Sequence, residues 1–162
     1  MQKEKIIIYT DGAAKGNPGR AGWAAVILSE QNYGRQGRIY EMGGNTEHAT
    51  NNQMELTAPI EALKYLKSKM SKADFDIEII SDSKYVILGI TEWIFNWQKN
   101  NWRNTAKKPV LNRELWEELY KLTKELKPTW TYVKGHNENK WNERADEIAT
   151  SFADGNPVEL KE

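Results

Sequence analysis

Near its start the chain carries a short, almost wholly apolar run, Ile6–Ile7–Ile8–Tyr9, closed by Thr10–Asp11–Gly12. An apolar run this brief, bounded by turn formers, predicts a central strand. The turn-rich Gly16–Asn17–Pro18–Gly19 separates it from a second predicted strand, Trp23–Ala24–Ala25–Val26–Ile27–Leu28. Gly34 and Gly37 then mark a hairpin into a third strand near Arg38–Met42. From Asn52 the period changes: Leu56, Ile60, Leu63 and Leu66 share one helical face. Pro59 inside that segment either kinks the helix or shifts its effective start, and the pattern alone does not choose. Ile77, Ile79 and Ile80 announce another strand ending at Ser81–Asp82, with a helix from about Ser83 to Trp97. A polar, basic stretch runs to Lys108 and is broken by Pro109; Asn112 can cap the next helix, whose Leu115, Leu119 and Leu122 face inward. Thr129–Val133 reads as the last strand and Glu143–Phe152 as the last helix. Strands come early and helices late, with one strand–helix alternation at the end, which indicates an α/β chain with a mixed sheet covered by helices.

Composition narrows the chemistry. The 162 residues suit one domain with a single sizeable core. The formal net charge is zero, so any polyanion must be gripped by a local patch and not by a global field. There is no cysteine, hence no disulfide framework and no thiolate metal site. Carboxylates and two histidines remain as candidate ligands, which favours hard cations such as Mg²⁺ or Mn²⁺ over zinc. The charged N-terminus and the short apolar run behind it do not resemble a signal peptide, and no window approaches transmembrane length, so the expectation is an intracellular, cytoplasmic protein.

Acidic residues fall where this layout brings them together. Asp11 lies at the end of the first predicted strand and Asp82 at the end of the fourth, and ligands of open α/β sheets gather outside the carboxyl ends of strands. Glu55 is placed in the first turn of its helix and Asp146 in the first turns of the last one, where helix N-termini favour anions and keep both ionised. Carboxylates so close repel unless a divalent ion fills the gap, and two such ions can clamp the attacking and leaving oxygens of a phosphodiester. Each residue also has a plainer reading. Asp11–Gly12 is a turn, Glu55 completes a capping box with Asn52, Asp82–Ser83 is an N-cap, and Asp146 is an ordinary first-turn acid. His136, in the polar loop Lys134–Gly135–His136–Asn137–Glu138–Asn139, taken alone is a solvated surface residue.

Four segments together carry more than any one of them. Ile8–Tyr9–Thr10–Asp11–Gly12–Ala13, Thr50–Asn51–Asn52–Gln53–Met54–Glu55–Leu56, Ile80–Ser81–Asp82–Ser83, and Gly135–His136 followed by Asn142–Glu143–Arg144–Ala145–Asp146 resemble type 1 ribonuclease H of the bacterial kind, in order and spacing, over about residues 5 to 153. The resemblance implies a ribonuclease H-like fold, a five-stranded mixed sheet flanked by helices. It also implies an endonuclease cutting the RNA strand of RNA–DNA hybrids to 5′-phosphate and 3′-hydroxyl ends. Asp11, Glu55, Asp82 and Asp146 would be ligands of two Mg²⁺ ions, with Mn²⁺ able to substitute. His136 would stand beside the metals and assist proton transfer or product departure; its ordinary pKa suits that role near neutral pH.

Between Trp93 and Arg113 there are five basic residues, Lys99, Arg103, Lys107, Lys108 and Arg113, and no acidic one, with Trp93, Trp97 and Trp102 in the same stretch. Cations contact phosphates and flat rings pack on sugars or bases. The same pattern is met by a solvated helix and loop with Trp93 and Trp97 in the core. The stretch resembles the basic handle, about residues 93–113, that in many ribonucleases H holds the DNA strand. By the same likeness Asn17, Asn51 and Asn52 contact the minor groove and ribose 2′-hydroxyls, which are both donor and acceptor. Thr50 and Asn112 match a DNA-phosphate pocket, and Tyr85, Trp93 and Trp97 line the DNA channel. Two positions depart from the pattern of some relatives: His48 stands where they have an arginine, and Lys84 where they have a glutamine. The chain starts directly at the core, with no N-terminal hybrid-binding module, and is expected to be one catalytic domain over 1–162, monomeric and off the membrane. The rival readings are a junction resolvase or transposase-type nuclease of the same fold, against which Asn51–Asn52 and the tryptophan-bearing handle argue, and a non-catalytic hybrid-binding module, against which the complete carboxylate set argues.

Overall fold

The computed structural model describes residues 4–29, 37–69, 75–135 and 139–162. Strands β1 (Glu4–Lys15), β2 (Gly19–Ser29) and β3 (Arg38–Ala49) form an antiparallel meander, and β4 (Phe75–Ser81) and β5 (Thr129–Tyr132) add in parallel on the other side of β1. The order is β3-β2-β1-β4-β5, a five-stranded mixed sheet as expected. The apolar runs are central strands: Ile8, Val26 and Ile79 are fully buried.

Helices α1 (Asn51–Lys69) and α4 (Arg113–Leu126) close one face over Ile8, Leu56, Leu63, Trp116 and Leu119. Helix α5 (Lys140–Ala153) closes the other over Val26, Ile80 and Ile148. Helix α1 runs continuously through Pro59, which is buried, and Leu56, Ile60, Leu63 and Leu66 form its inward face. Glycines let the layers meet closely. A Cβ at Gly22 would lie 2.3 Å from the Ala149 carbonyl oxygen, so α5 rests directly on β2.

Several element boundaries differ from the pattern's expectation. β1 does not end at Asp11 but continues to Lys15 as the arm of a long hairpin with β2. What ends there is its pairing with β4, whose last rung is Thr10 with Ser81. β3 extends to Ala49 instead of stopping near Met42, and the Gly34 turn lies outside the described residues. The helix expected over 83–97 is α2 (Lys84–Leu88), a π turn over Gly89–Trp93, and α3 (Ile94–Lys99). The π turn coincides with Gly89, where an added Cβ would come within 2.1 Å of the Trp116 ring; the missing side chain makes room for that buried indole. Trp116, not Leu115, is the first fully buried residue of α4, and Leu115 is half-buried against the same core.

Asn112 is not a side-chain cap. It sits in the left-handed region (φ 61°), and its amide is used elsewhere.

Candidate active site

Asp11 stands one residue beyond the last β1–β4 rung, still held by β2 opposite Ala24. The two parallel strands diverge there, so its side chain emerges at the carboxyl end of the sheet centre. Asp82 follows the last residue of β4, and Ser83, not Asp82, caps α2 by accepting from the Val86 amide at 3.2 Å. The plain N-cap reading therefore leaves Asp82 to the site.

Glu55 is also spared from capping. The box at the start of α1 is made by Thr50 and Gln53. Thr50 N donates to Gln53 Oε1 at 2.9 Å, and Gln53 N donates to Thr50 Oγ1 at 3.1 Å. Glu55 Oε1 instead accepts from the Gly12 amide at 3.0 Å, across the junction of α1 and β1. Gly12 is required there, since a Cβ would meet the Glu55 nitrogen at 2.5 Å.

Carboxylate oxygens of Asp11, Glu55 and Asp82 lie within 4.8 Å of one another. Asp11 and Glu55 are buried, and Asp82 is half-buried. Asp146, exposed on α5, lines the same cleft with Asn51, Asn52, Asn142 and Glu143 and adds to the upward push on the Asp11 carboxyl. All four sequence-derived carboxylates thus meet.

Their electrostatic setting differs from the expectation that helix N-termini keep Glu55 and Asp146 ionised. Helix α1 starts at Asn51 and α5 at Lys140, so neither residue is in the first turn, where that field is felt. Burial and then the charge of Glu55 push the Asp11 carboxyl far above the carboxylate range. Burial also raises Glu55, against the lowering effect of its hydrogen bonds to Asp11 and the Gly12 amide.

The donor set suits a divalent ion: hard oxygens only, three within 4.8 Å, and Glu55 Oε2 buried with no hydrogen-bond partner among the described residues. A divalent cation there would supply the positive charge that clustered, buried carboxylates need.

The polar surround is knit together. Asn17 Oδ1 accepts from the Asn51 amide at 3.1 Å, tying the β1–β2 turn to the start of α1. Asn51 and Asn52 are exposed on the cleft wall. Asn112 Oδ1 accepts from Gln53 Nε2 at 3.3 Å, and its Nδ2 donates to Tyr85 Oη at 3.2 Å, which also accepts from Trp116 Nε1 at 3.0 Å. Thr50, Asn112 and Tyr85 are therefore one patch joined through Gln53. Sequence reading missed Gln53, although Thr50–x–x–Gln53 is a legible capping box.

Of the aromatic residues, Trp97 and Trp102 pack against the core, whereas Trp93 is 38 % exposed and touches Tyr85 edge-on and Trp97 at a tilt. The core reading thus holds for Trp97 but not for Trp93. Lys99 is exposed at the end of α3, and Arg103, Lys107 and Lys108 are exposed on the loop after it, closed by the Arg103–Pro109 bridge and by Arg103 Nη1 donating to the Lys107 carbonyl at 2.9 Å. Arg113 is committed elsewhere, stacked on Trp102 and bonded to Glu117. His48 is exposed on β3, and Lys84 lies over the Tyr132 ring beside the cleft. His136 lies outside the described residues. Gly135 before it passes close to Asp82, where a Cβ would come 3.2 Å from Oδ2.

The chain is similar to known proteins. The RNase H family model matches residues 3–154. Ribonuclease H of Francisella tularensis subsp. novicida (strain U112) is 47% identical over 148 residues, covering 91% of this chain and 90% of that protein. Among solved structures, LC9-RNase H1, described as a type 1 RNase H with the type 2 active-site motif, superposes with a TM-score of 0.84 at 22% identity, over 99% of this chain and 76% of that one. LC11-RNase H1, solved in complex with an RNA/DNA hybrid, gives a TM-score of 0.68 at 27% identity, over 93% of this chain and 97% of that one. With a family match over nearly its whole length and a close relative of the same extent, the chain belongs to the ribonuclease H family.

Proposed function

We propose that this chain is an endonuclease that hydrolyses the RNA strand of RNA–DNA hybrids, with Asp11, Glu55, Asp82 and Asp146 holding two Mg²⁺ ions, or Mn²⁺ in their place. The observation that carries the reading is the carboxylate cluster within 4.8 Å, with its unpartnered Glu55 oxygen, at the base of a cleft walled by Asn51 and Asn52. The ribonuclease H relatives and the hybrid bound by LC11-RNase H1 support the substrate.

Divalent cations bound there would neutralise the phosphodiester and lower the pKa of the attacking water. The chain's own groups do the rest. β1 and β4 fix Asp11 and Asp82, and the Gly12 amide fixes Glu55. Asn51 and Asn52 offer side-chain amides that both donate to and accept from a ribose 2′-hydroxyl, an interaction deoxyribose lacks. Water oxygen bonds to phosphorus as the bond from phosphorus to the ribose 3′ oxygen breaks, leaving a 5′-phosphate and a 3′-hydroxyl. The patch of Thr50, Asn112 and Tyr85 receives a DNA phosphate, and the basic handle over 93–113, with Trp93 exposed on it, holds the DNA strand.

We place the whole chain, 1–162, as one catalytic domain acting as a monomer in the cytoplasm. No helix among the described residues is long and apolar enough to cross a membrane.

His136 is assigned to assist proton transfer or product departure. His136→Ala is expected to slow turnover by roughly 10²-fold or less, while Mg²⁺ affinity measured by calorimetry stays unchanged. Lost metal binding would make it a ligand instead.

The function itself is tested by cleavage of matched RNA–DNA, RNA–RNA and DNA–DNA duplexes with and without Mg²⁺. Only the hybrid should be cut, and only with metal. Equal cutting of DNA–DNA would point to a resolvase-type nuclease, and tight hybrid binding without cutting to a binding module.

A further inference from the structure

Asp146 is held differently from the other candidate ligands. Asp11 and Asp82 are set by the sheet and Glu55 by the Gly12 amide, but Asp146 is exposed on α5, and its place depends on how that helix is docked. The close glycine contacts of α5, Gly22 against Ala149 and Gly43 against Phe152 and Ile148, lie beyond Asp146 toward the helix C-terminus.

Before Asp146 stands a different fastening. Glu41, on the edge strand β3, is buried, and its carboxylate takes Arg144 Nε at 2.7 Å and Nη2 at 2.9 Å. The C-terminal segment crosses over this pair. Lys161 N donates to Glu41 Oε1 at 2.8 Å, the Glu41 amide donates to the Lys161 carbonyl at 2.8 Å, and Arg144 Nη2 also donates to the Glu159 carbonyl at 2.9 Å. Val158 and Leu160 pack into the α5-side core.

Glu41 is the buried partner and Arg144 is half-buried. Burying even one charge of a pair is a poor means of gaining stability, because desolvation offsets the attraction, and its better-attested use is to fix one register among several. Here it fixes helix rotation. Residues two apart on a helix point about 200° away from each other, so pinning Arg144 toward β3 turns Asp146 toward the cleft.

We propose that Glu41, Arg144 and the 158–162 segment are positioning residues that strap α5 to the sheet edge and hold Asp146 in register with Asp11. The inference rests on the metal-binding role given to Asp146 above. Two variants test it: Glu41→Gln, which keeps shape and removes the charge, and a chain ending at Pro157, which removes the crossing segment. Each is titrated with Mn²⁺ alone by calorimetry, without nucleic acid. Each is also assayed on hybrid for kcat, KM and the Mg²⁺ concentration giving half-maximal rate, well below its melting temperature. Gly89→Ala, which crowds Trp116 far from the strap, serves as a control for lost stability alone.

The expected result is a roughly 10–100-fold weaker metal response and a lower kcat in both strap variants, the range for groups that orient metal ligands, with KM for hybrid nearly unchanged. The control should melt earlier and keep the wild-type metal titration. Strap variants that remain folded with wild-type metal binding and kcat would overturn the proposal. If the shorter chain does not fold, Glu41→Gln alone decides. A wild-type protein that takes up no metal would instead sink the functional reading on which the strap depends.

Discussion

Asp11→Asn, and separately Asp82→Asn, should remove nearly all hydrolysis while leaving hybrid binding intact. The carboxylate oxygens of these residues and Glu55 converge within 4.8 Å, and a neutral amide at either position removes a charged ligand from the shared site. Metal clamps are worth several kcal/mol of charge stabilisation, and each ~1.4 kcal/mol is tenfold in rate, so a loss of roughly 10³-fold or more is expected. The Asn51–Asn52 wall and the basic loop are untouched, so affinity for hybrid measured in chelator should stay near wild type. The same substitution has a second signature in stability. Because burial and Glu55 raise the Asp11 carboxyl, the metal-free folded state holds its proton more tightly than the unfolded chain does. That contribution is complete below the ordinary carboxylate value and is lost as pH rises toward the elevated one, about 11, so the metal-free wild type should melt progressively earlier from about pH 4 up to about pH 11. Asp11→Asn lacks the titrating group and should melt later than wild type in chelator at neutral pH, by roughly 2–4 °C for each kcal/mol of repulsion relieved. Mg²⁺ should raise the wild-type melting temperature and narrow the gap. Near-full activity of Asp11→Asn with Mg²⁺, or wild-type turnover in excess chelator, would sink the two-metal reading.

How much of this was legible without coordinates depended on the length scale of each feature. The strands announced themselves because Ile6–Tyr9 is an unbroken apolar run and Ile77, Ile79 and Ile80 are buried around a half-buried Glu78, as strands at a sheet centre require. The continuation of β1 beyond Asp11 was hidden because its residues there are Gly12, Ala13 and Ala14, too small to show a period. Helix α5 starts at Lys140, earlier than expected, because its first turn is polar and its signal is Asn139, whose side chain accepts from Trp141 N and Asn142 N. That shift of three residues moved Asp146 out of the first turn and removed the dipole argument. Asn112 has the composition of a cap and is not one, since its side chain is drawn to Gln53 and Tyr85, whose proximity no local pattern encodes. The meeting of the carboxylates was legible only through four motifs in order. The Glu41–Arg144 pair, 103 residues apart in sequence, has no local pattern behind it.

Neutralising Lys99, Arg103, Lys107 and Lys108 together, as Gln, should weaken hybrid binding and flatten its dependence on salt. All four are exposed, and none is engaged in an ion pair among those the structure forms between described residues. Arg103 is the exception to pure solvation, since its Nη1 helps close the loop on the Lys107 carbonyl, and Gln at 103 keeps a donor there. Arg113 is left in place because its stacking on Trp102 and its bond to Glu117 make it part of the scaffold. Each phosphate contact contributes ~0.9 to the slope of log K against log salt, so four contacts account for up to ~3.6. Between 50 and 200 mM salt, a fourfold change, the wild type should then lose up to ~150-fold more affinity than the variant. At saturating substrate kcat should change little, because these residues stand apart from the carboxylate cleft lined by Asp11, Glu55, Asp82 and Asp146. Trp97→Ala is a poor substitute for this experiment, as that ring packs against Trp116 and its loss would disturb the core. Trp93, partly exposed and outside the core cluster, is the aromatic whose removal tests stacking alone. The measurement is KM across a salt series for the charge-neutralised variant and wild type, after both are shown to melt alike. Parallel salt dependences would mean that the loop is a solvated surface and that the hybrid is gripped elsewhere.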